Sequence, residues 1–234
     1  MGTAHAYQHG EATRLLEKLT MALDRARRPF CVPPRVHVDD ALASERLSVA
    51  ILDCLSGRAE PASAVTVVCI GTDRSTGDSL GPLVGSRLSR LNIPGVRVFG
   101  TLDEPVHAAN LHQFLTRLRE EASAPGHVVV AVDACLGRTE SVGCVSVRPG
   151  PLRPGTGVNK DLPPVGDFHI MGVVNVGGFM EYFVLQNTRL SLVMRMAETI
   201  AEGLRLALEQ WASVQEAAAA GAQRRPRTPA TALR

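Results

Sequence analysis

Cysteine, charge of one sign and long apolar runs are all scarce in this chain of 234 residues, and each shortage removes a class of function. Lysine and arginine number 25 against 23 acidic residues, a formal net charge of +2, and no long basic face is visible. That argues against nucleic acid or an anionic membrane as the main partner. The five cysteines, Cys31, Cys54, Cys69, Cys135 and Cys144, form no C-x-x-C pair, and three lie within apolar runs. An odd number without metal-ligand spacing reads as reduced thiols in a cytosol, so neither a disulfide framework nor a zinc site is expected. No apolar run approaches the roughly 18 residues that a membrane span needs. The opening stretch MGTAHAYQHGEATRLLEKL also has no secretory apolar core. The expected location is cytoplasmic.

What is present is enough apolar residue, 45% of the chain, for one sizeable core. Leucines at 15, 16, 19 and 23 have helical spacing, and Pro29, Pro33 and Pro34 then break the chain. Asp39 or Asp40 is a candidate cap for a second helix reaching about residue 55, with Leu42, Leu47, Ile51 and Cys54 inward. A linker-like stretch follows, so residues 1–62 read as a helical extension, or alternatively as an oligomerisation arm. From residue 63 the pattern changes. VTVVCI (65–70), VRVFGT (96–101) and HVVVAVDA (127–134) read as strands, and 79–91 and 105–122 as the helices between them. This alternation predicts an α/β domain over 63–211, with a mostly parallel central sheet flanked by helices in three layers. Residues 142–149 and 168–176 are further candidate strands. The long amphipathic helix 187–211 closes the domain, with Asn187 or Thr188 as its cap, and 212–234 reads as a disordered tail.

Open α/β sheets build sites at the carboxyl ends of their strands. Two loops there carry acids. IGTDRSTGDSLGP (70–82) lacks the lysine of a phosphate-binding loop, because Asp78 stands in its place, and the G-x-G-x-x-G dinucleotide pattern is absent. VDACLGRTES (132–141) places Asp133 directly after an apolar strand, which is costly unless the carboxyl is paired or reaches a solvated cleft. If the strand order switches at the first strand, Asp78 and Asp133 lie side by side. The plainer readings are a helix N-cap for Asp78 and a turn or cap for Asp133. Cys135 is a minor nucleophile candidate, and Asp73, Arg74 and Glu140 are surface candidates. The Pro- and Gly-rich stretch 148–167 is too long for an idle loop in a compact domain.

The segments IGTDRSTGDSLGPLVG, GTLDEPVHAANL, VAVDACLG, GVNKDLPPVGD and GFMEYFVLQNTRL together resemble the YyaC-type sporulation proteins, from about Val65 to Leu208. That family in turn resembles the spore germination protease and, more distantly, the hydrogenase-maturation proteases. The resemblance implies a phosphorylase/hydrolase-like fold and two catalytic aspartates. Gly71 to Pro82 matches a G-x(6)-D-x-L-G-P loop with Asp78, and Asp133-Ala134 matches a strand-end D-A motif. PGTGVNK (154–160) is similar to a glycine-rich segment near that protease's site. The maturation proteases use both acid positions as metal ligands, with a histidine before the last helix as the third. Here Thr188 stands nearest that place, with His169 as a possible substitute, so no metal and no cofactor is expected.

Two carboxylates sharing one proton can divide acid and base duties in peptide hydrolysis. Gly71, Thr72, Asp73, Asn159 and Lys160 are the candidate substrate-binding residues. Backbone N–H groups of the 71–77 turn, or Asn159 and Lys160, are the candidate oxyanion donors. The expected partner is a protein or peptide substrate, for instance a spore protein, and homo-oligomerisation is open. The rival readings are a non-enzymatic sporulation interaction protein and a metal-dependent maturation-type peptidase.

Overall fold

The computed structural model describes residues 35–121, 124–155 and 162–223. Six strands form one sheet in the order β1-β5-β6-β4-β2-β3. They are β1 (Arg35–His37), β2 (Ala64–Cys69), β3 (Val96–Phe99), β4 (His127–Gly137), β5 (Cys144–Pro149) and β6 (Phe168–Val176). Strands β6, β4, β2 and β3 run parallel, while β5 is antiparallel to both β6 and β1. The helices are α1 (Ala43–Ser56), α2 (Leu80–Leu88), α3 (Leu111–Glu121), α4 (Glu181–Gln186) and α5 (Leu190–Gln223). The three-layer α/β architecture expected from the strand–helix alternation is the one observed.

Alternation along the central strands sorts side chains between two cores. Val128, Val130 and Val132 of β4 join Val65 and Val67 of β2 on the face covered by α1, α2 and α5. Ala131 and Val68 turn to the other face, where Leu111, Leu115 and Leu118 of α3 cover them with Leu152 and Val165. In α5 the buried residues Val193, Met196, Ala197, Ile200, Leu204, Ala207, Leu208 and Trp211 fall at helical three- and four-residue steps. This stripe lies across α1 and α2.

The boundary expected at residue 63 does not divide the fold. β1 is hydrogen-bonded into the sheet, and α1 packs on α5. Leu47 and Ile51 of α1 are buried in the main core. Burying each is worth about 1.5–3 kcal/mol, so residues 35–56 are integral to the domain. The expected helix at 11–27 lies outside the described residues. At the other end α5 runs on to Gln223, past the tail boundary expected at 212. Alanine-rich sequence is the best helix former available, and it extends a helix already anchored by Trp211. The second inter-strand helix starts at Leu111, not at 105. Val106 forms a parallel bridge with Ile70, so the chain must first run along the end of β2. Asn110 then makes the turn, accepting from the His107 N–H (2.8 Å) and donating to Pro105 O (2.9 Å).

Candidate functional site

The strand order places β2 at a switch point, with β3 on one side and β4 on the other. Ligand sites of open α/β sheets lie at such points, outside the carboxyl ends. β2 ends at Cys69, paired with Val132, while β4 continues to Gly137. Asp133 is therefore the first residue of β4 beyond the end of β2, and it pairs on its other side with Met171. The residue is only 8% exposed. Asp133 Oδ1 accepts from the Ala134 N–H at 2.8 Å. Burial is the main influence on this carboxyl, followed by the negative charge of Asp78. Together they hold its pKa well above the ordinary carboxylate value, against the weaker pull of the Ala134 hydrogen bond. The charge of Asp78 therefore reaches the Asp133 carboxyl at the switch point.

Asp78 sits in a 3-10 turn, Gly77–Ser79, that leads into α2 and packs against β4 and α4. It is half-buried. Two glycines let the turn approach so closely. Gly71 has φ +142°, and a Cβ there would fall 2.0 Å from Asp78 O. A Cβ on Gly77 would lie 2.9 Å from both Leu185 Cδ2 and Thr188 Oγ1. The turn is further tied down by the Thr72 N–H, which donates to Asp78 O at 3.1 Å. The N-cap of α2 is Ser79, whose hydroxyl donates to Thr76 O at 2.7 Å and does not cap the helix.

The remaining predicted residues divide into three groups. Gly71 and Thr72 lie beside Asp78, but their N–H groups are committed to Val106 O (2.9 Å) and Asp78 O. The Arg74 N–H is likewise taken by the Thr72 hydroxyl (3.3 Å). Those three are therefore not the oxyanion donors suggested for the 71–77 turn. Asp73 is exposed, with Oδ1 3.4 Å from the Thr72 hydroxyl. Asn159 and Lys160 lie outside the described residues. Cys135 faces the neighbourhood of Asp133, but burial, reinforced by the Asp133 charge, pushes its thiol up to about 11, so it is a poor nucleophile at neutral pH. His169 Nδ1 is 2.9 Å from Gly150 O, which ties the start of the long loop to β6.

Thr188 is buried beside Gly77. Its hydroxyl donates to Val184 O (2.8 Å) and accepts from Asn175 Nδ2 (3.2 Å). Among the described residues no three His, Cys, Asp or Glu side chains converge as a metal-ligand set. Within the same residues, no helix is long and apolar enough to cross a membrane.

With this geometry in view, the comparisons with known proteins settle the family. Residues 35–203 match the model of a family described as a protein of unknown function, DUF1256. The chain belongs to the DUF1256 family. The uncharacterized protein YyaC of Bacillus subtilis (strain 168) is 54% identical over 167 residues, covering 71% of this chain and 80% of that protein. It supports the resemblance to YyaC-type proteins carried by the motifs. Among solved structures, a NiFe hydrogenase maturation protease, HycI, from Thermococcus kodakarensis KOD1 is similar at 19% identity. The match has a TM-score of 0.46 and covers 68% of this chain and 98% of that one. The family match begins at residue 35, where β1 begins, so the DUF1256 region includes β1 and α1.

Two surface features escaped sequence reasoning. An open cleft of about 440 Å³ lies between the carboxyl end of β3 and α3, with Phe99, Val106, Phe114 and Leu118 among its lining. Neither aspartate lines it. The other is a cluster of exposed large apolar residues around α4, including Phe179, Met180, Tyr182 and Phe183. The signal was there: apolar residues crowd between Gly178 and Gln186 without a clear buried period. Such runs on a surface mark functional contact.

Proposed function

We propose that this DUF1256 protein hydrolyses peptide bonds with Asp78 and Asp133, acting on a spore protein in the cytoplasm of a sporulating cell or inside the spore. The observation that carries this reading is the buried Asp133 carboxyl, its pKa raised by burial and by the charge of Asp78 at the switch point of the sheet. The motif resemblance of Gly71 to Pro82 and of Asp133-Ala134 to the germination protease supports it.

In the proposed step Asp133 holds the proton that the pair shares, because it is the more buried member. Asp78, half in solvent, is ionised and removes a proton from water as the water oxygen attacks the peptide carbonyl carbon. The C–N bond then breaks, and the Asp133 proton passes to the leaving nitrogen. The pair is regenerated when the proton on Asp78 returns to Asp133 through solvent. A metal-dependent version is the weaker reading, because Thr188 occupies the place of the expected histidine and its hydroxyl is already engaged. A non-enzymatic interaction role is favoured by one observation, the exposed apolar surface around α4.

The deciding experiment is incubation of spore-protein extracts with wild type, Asp78→Asn, Asp133→Asn and the double variant. Each single change removes a general acid or base and should cost about 10²–10⁴-fold in activity. The double variant should be little worse, since residues acting as a unit are non-additive. Full activity in either single variant refutes the pair, and a wild type that cleaves nothing leaves the interaction role.

A further inference from the structure

Of the ten exposed large apolar side chains among the described residues, six lie between Val176 and Leu190, around α4. Phe179, Tyr182 and Phe183 are 85%, 61% and 53% exposed, with Met180, Leu190 and Val176 also exposed beside them in the chain. An aromatic side chain presents about 150–250 Å², so the three rings offer roughly 400 Å². With the three aliphatic neighbours the cluster reaches about 600 Å², the upper end for a monomer's largest patch. Its backbone is unusual as well. Met180 has φ 53°, one of two left-handed non-glycine residues among those described, and it follows Gly178 at φ 138°. Left-handed backbone at a non-glycine residue costs free energy of order 1–3 kcal/mol and concentrates at functional surfaces.

We propose that this surface is a two-fold interface between two copies of the chain. Area is the first argument. A standard interface buries about 800 Å² per partner, and an apolar centre of about 600 Å² with a polar rim meets that size. Charge is the second. Glu181 stands at one end of the segment and the exposed Arg189 at the other. A two-fold axis through the patch sets Glu181 of each copy opposite the partner's Arg189, so the surface is self-complementary in sign as well as in apolarity. Such rim pairs fix register more than they add affinity. α4 packs on the turn that carries Asp78, so the interface borders the candidate site of each copy. The inference does not rest on the peptidase reading.

The test is sedimentation of the full chain at micromolar concentration, without substrate. Wild type should be a dimer, and Phe179→Ser/Phe183→Ser should weaken association at least about tenfold, as expected for central aromatic anchors. Glu181→Arg and Arg189→Glu should each weaken the dimer, and the double reversal should restore it. Unchanged thermal melts of these surface variants show that folding is intact. A monomeric wild type overturns the proposal, and so does a dimer indifferent to the aromatic changes. A double reversal that restores nothing overturns the two-fold arrangement. If wild type is monomeric and the amides of 179–190 are nevertheless protected from hydrogen exchange, a segment of the same chain covers the patch. That result also overturns it. Asp78→Asn/Asp133→Asn should leave the dimer unchanged, which separates this proposal from the peptidase reading.

Discussion

Replacing Asp133 by Asn should change the pH dependence of stability in a direction that the buried pair dictates. The folded state holds the Asp133 proton more tightly than the unfolded chain, where the ordinary value is about 3.8. Between that value and the raised folded pKa, the native state binds more protons than the unfolded one. Stability therefore falls as pH rises through this window, with a slope of up to about 1.4 kcal/mol per pH unit. The contribution is fully present below about pH 3.8 and is lost as pH passes the folded pKa. Asn keeps the acceptor for the Ala134 N–H but cannot ionise. Its buried NH2 costs a constant of about 1–3 kcal/mol if unsatisfied, and that offset does not vary with pH. Relative to wild type, Asp133→Asn should gain stability steadily from about pH 4 upward and then level off. Urea midpoints of both proteins from mildly acid to mildly alkaline pH read this directly, because titrating groups that do not feel Asp133 cancel in the difference. Asp78→Asn should flatten the wild-type slope in part, since it removes the repulsion and leaves the burial. A wild-type–variant difference that is flat with pH would mean that Asp133 is ionised in the folded state, and the shared-proton mechanism would fall with it.

Three further outcomes follow from particular contacts. Gly71→Ala should destabilise the fold by more than about 1 kcal/mol, because φ +142° disfavours any side chain and the new Cβ meets Asp78 O; thermal melts check this, and a neutral change would refute the close approach. Burial pushes Cys54 up to about 12 and Cys69 higher still. Both thiols should resist a disulfide reagent at pH 8 in the native protein and react on unfolding, and rapid native labelling mapped to either would contradict their burial. Deleting residues 35–56 should abolish cooperative unfolding, because it removes edge strand β1 and the α1 side of the core; a cooperative melt by circular dichroism would restore the boundary at 63.

The central βαβαβ run was legible because its signals are local. Val65–Ile70 and Val128–Val132 are unbroken apolar runs of strand length, and only a strand buried on both faces needs such a run. The acids after them were legible as candidates because apolar strands that end in aspartate are chemically conspicuous. The helix reaching Ser56 was legible from its apolar period, but its place inside the domain was not, for the opposite reason. Arg-Val-His is too short to announce a strand, and its pairing with β5 lies more than a hundred residues away. The three N–H groups of the 71–77 turn that proved committed were hidden for related reasons. The Gly71 N–H is spent because Val106 arrives beside Ile70, which nothing in the loop encodes, and those of Thr72 and Arg74 are spent on Asp78 O and the Thr72 hydroxyl once the turn has closed.

The sequence by itself determined the fold class, the place of Asp78 in the loop after the first core strand and of Asp133 at the end of the third, and the YyaC-type motifs, since periodicity, glycine spacing and apolar run length are properties of neighbouring residues. Tertiary structure alone decided that β2 lies between β3 and β4, which brings the two acids into one electrostatic neighbourhood. It alone decided that Asp133 is buried while Asp78 stays half in solvent, because desolvation depends on what packs over a side chain. It also decided that Phe179, Tyr182 and Phe183 face outward. A sequence records how apolar a residue is, but whether anything covers it is fixed only when distant elements have packed.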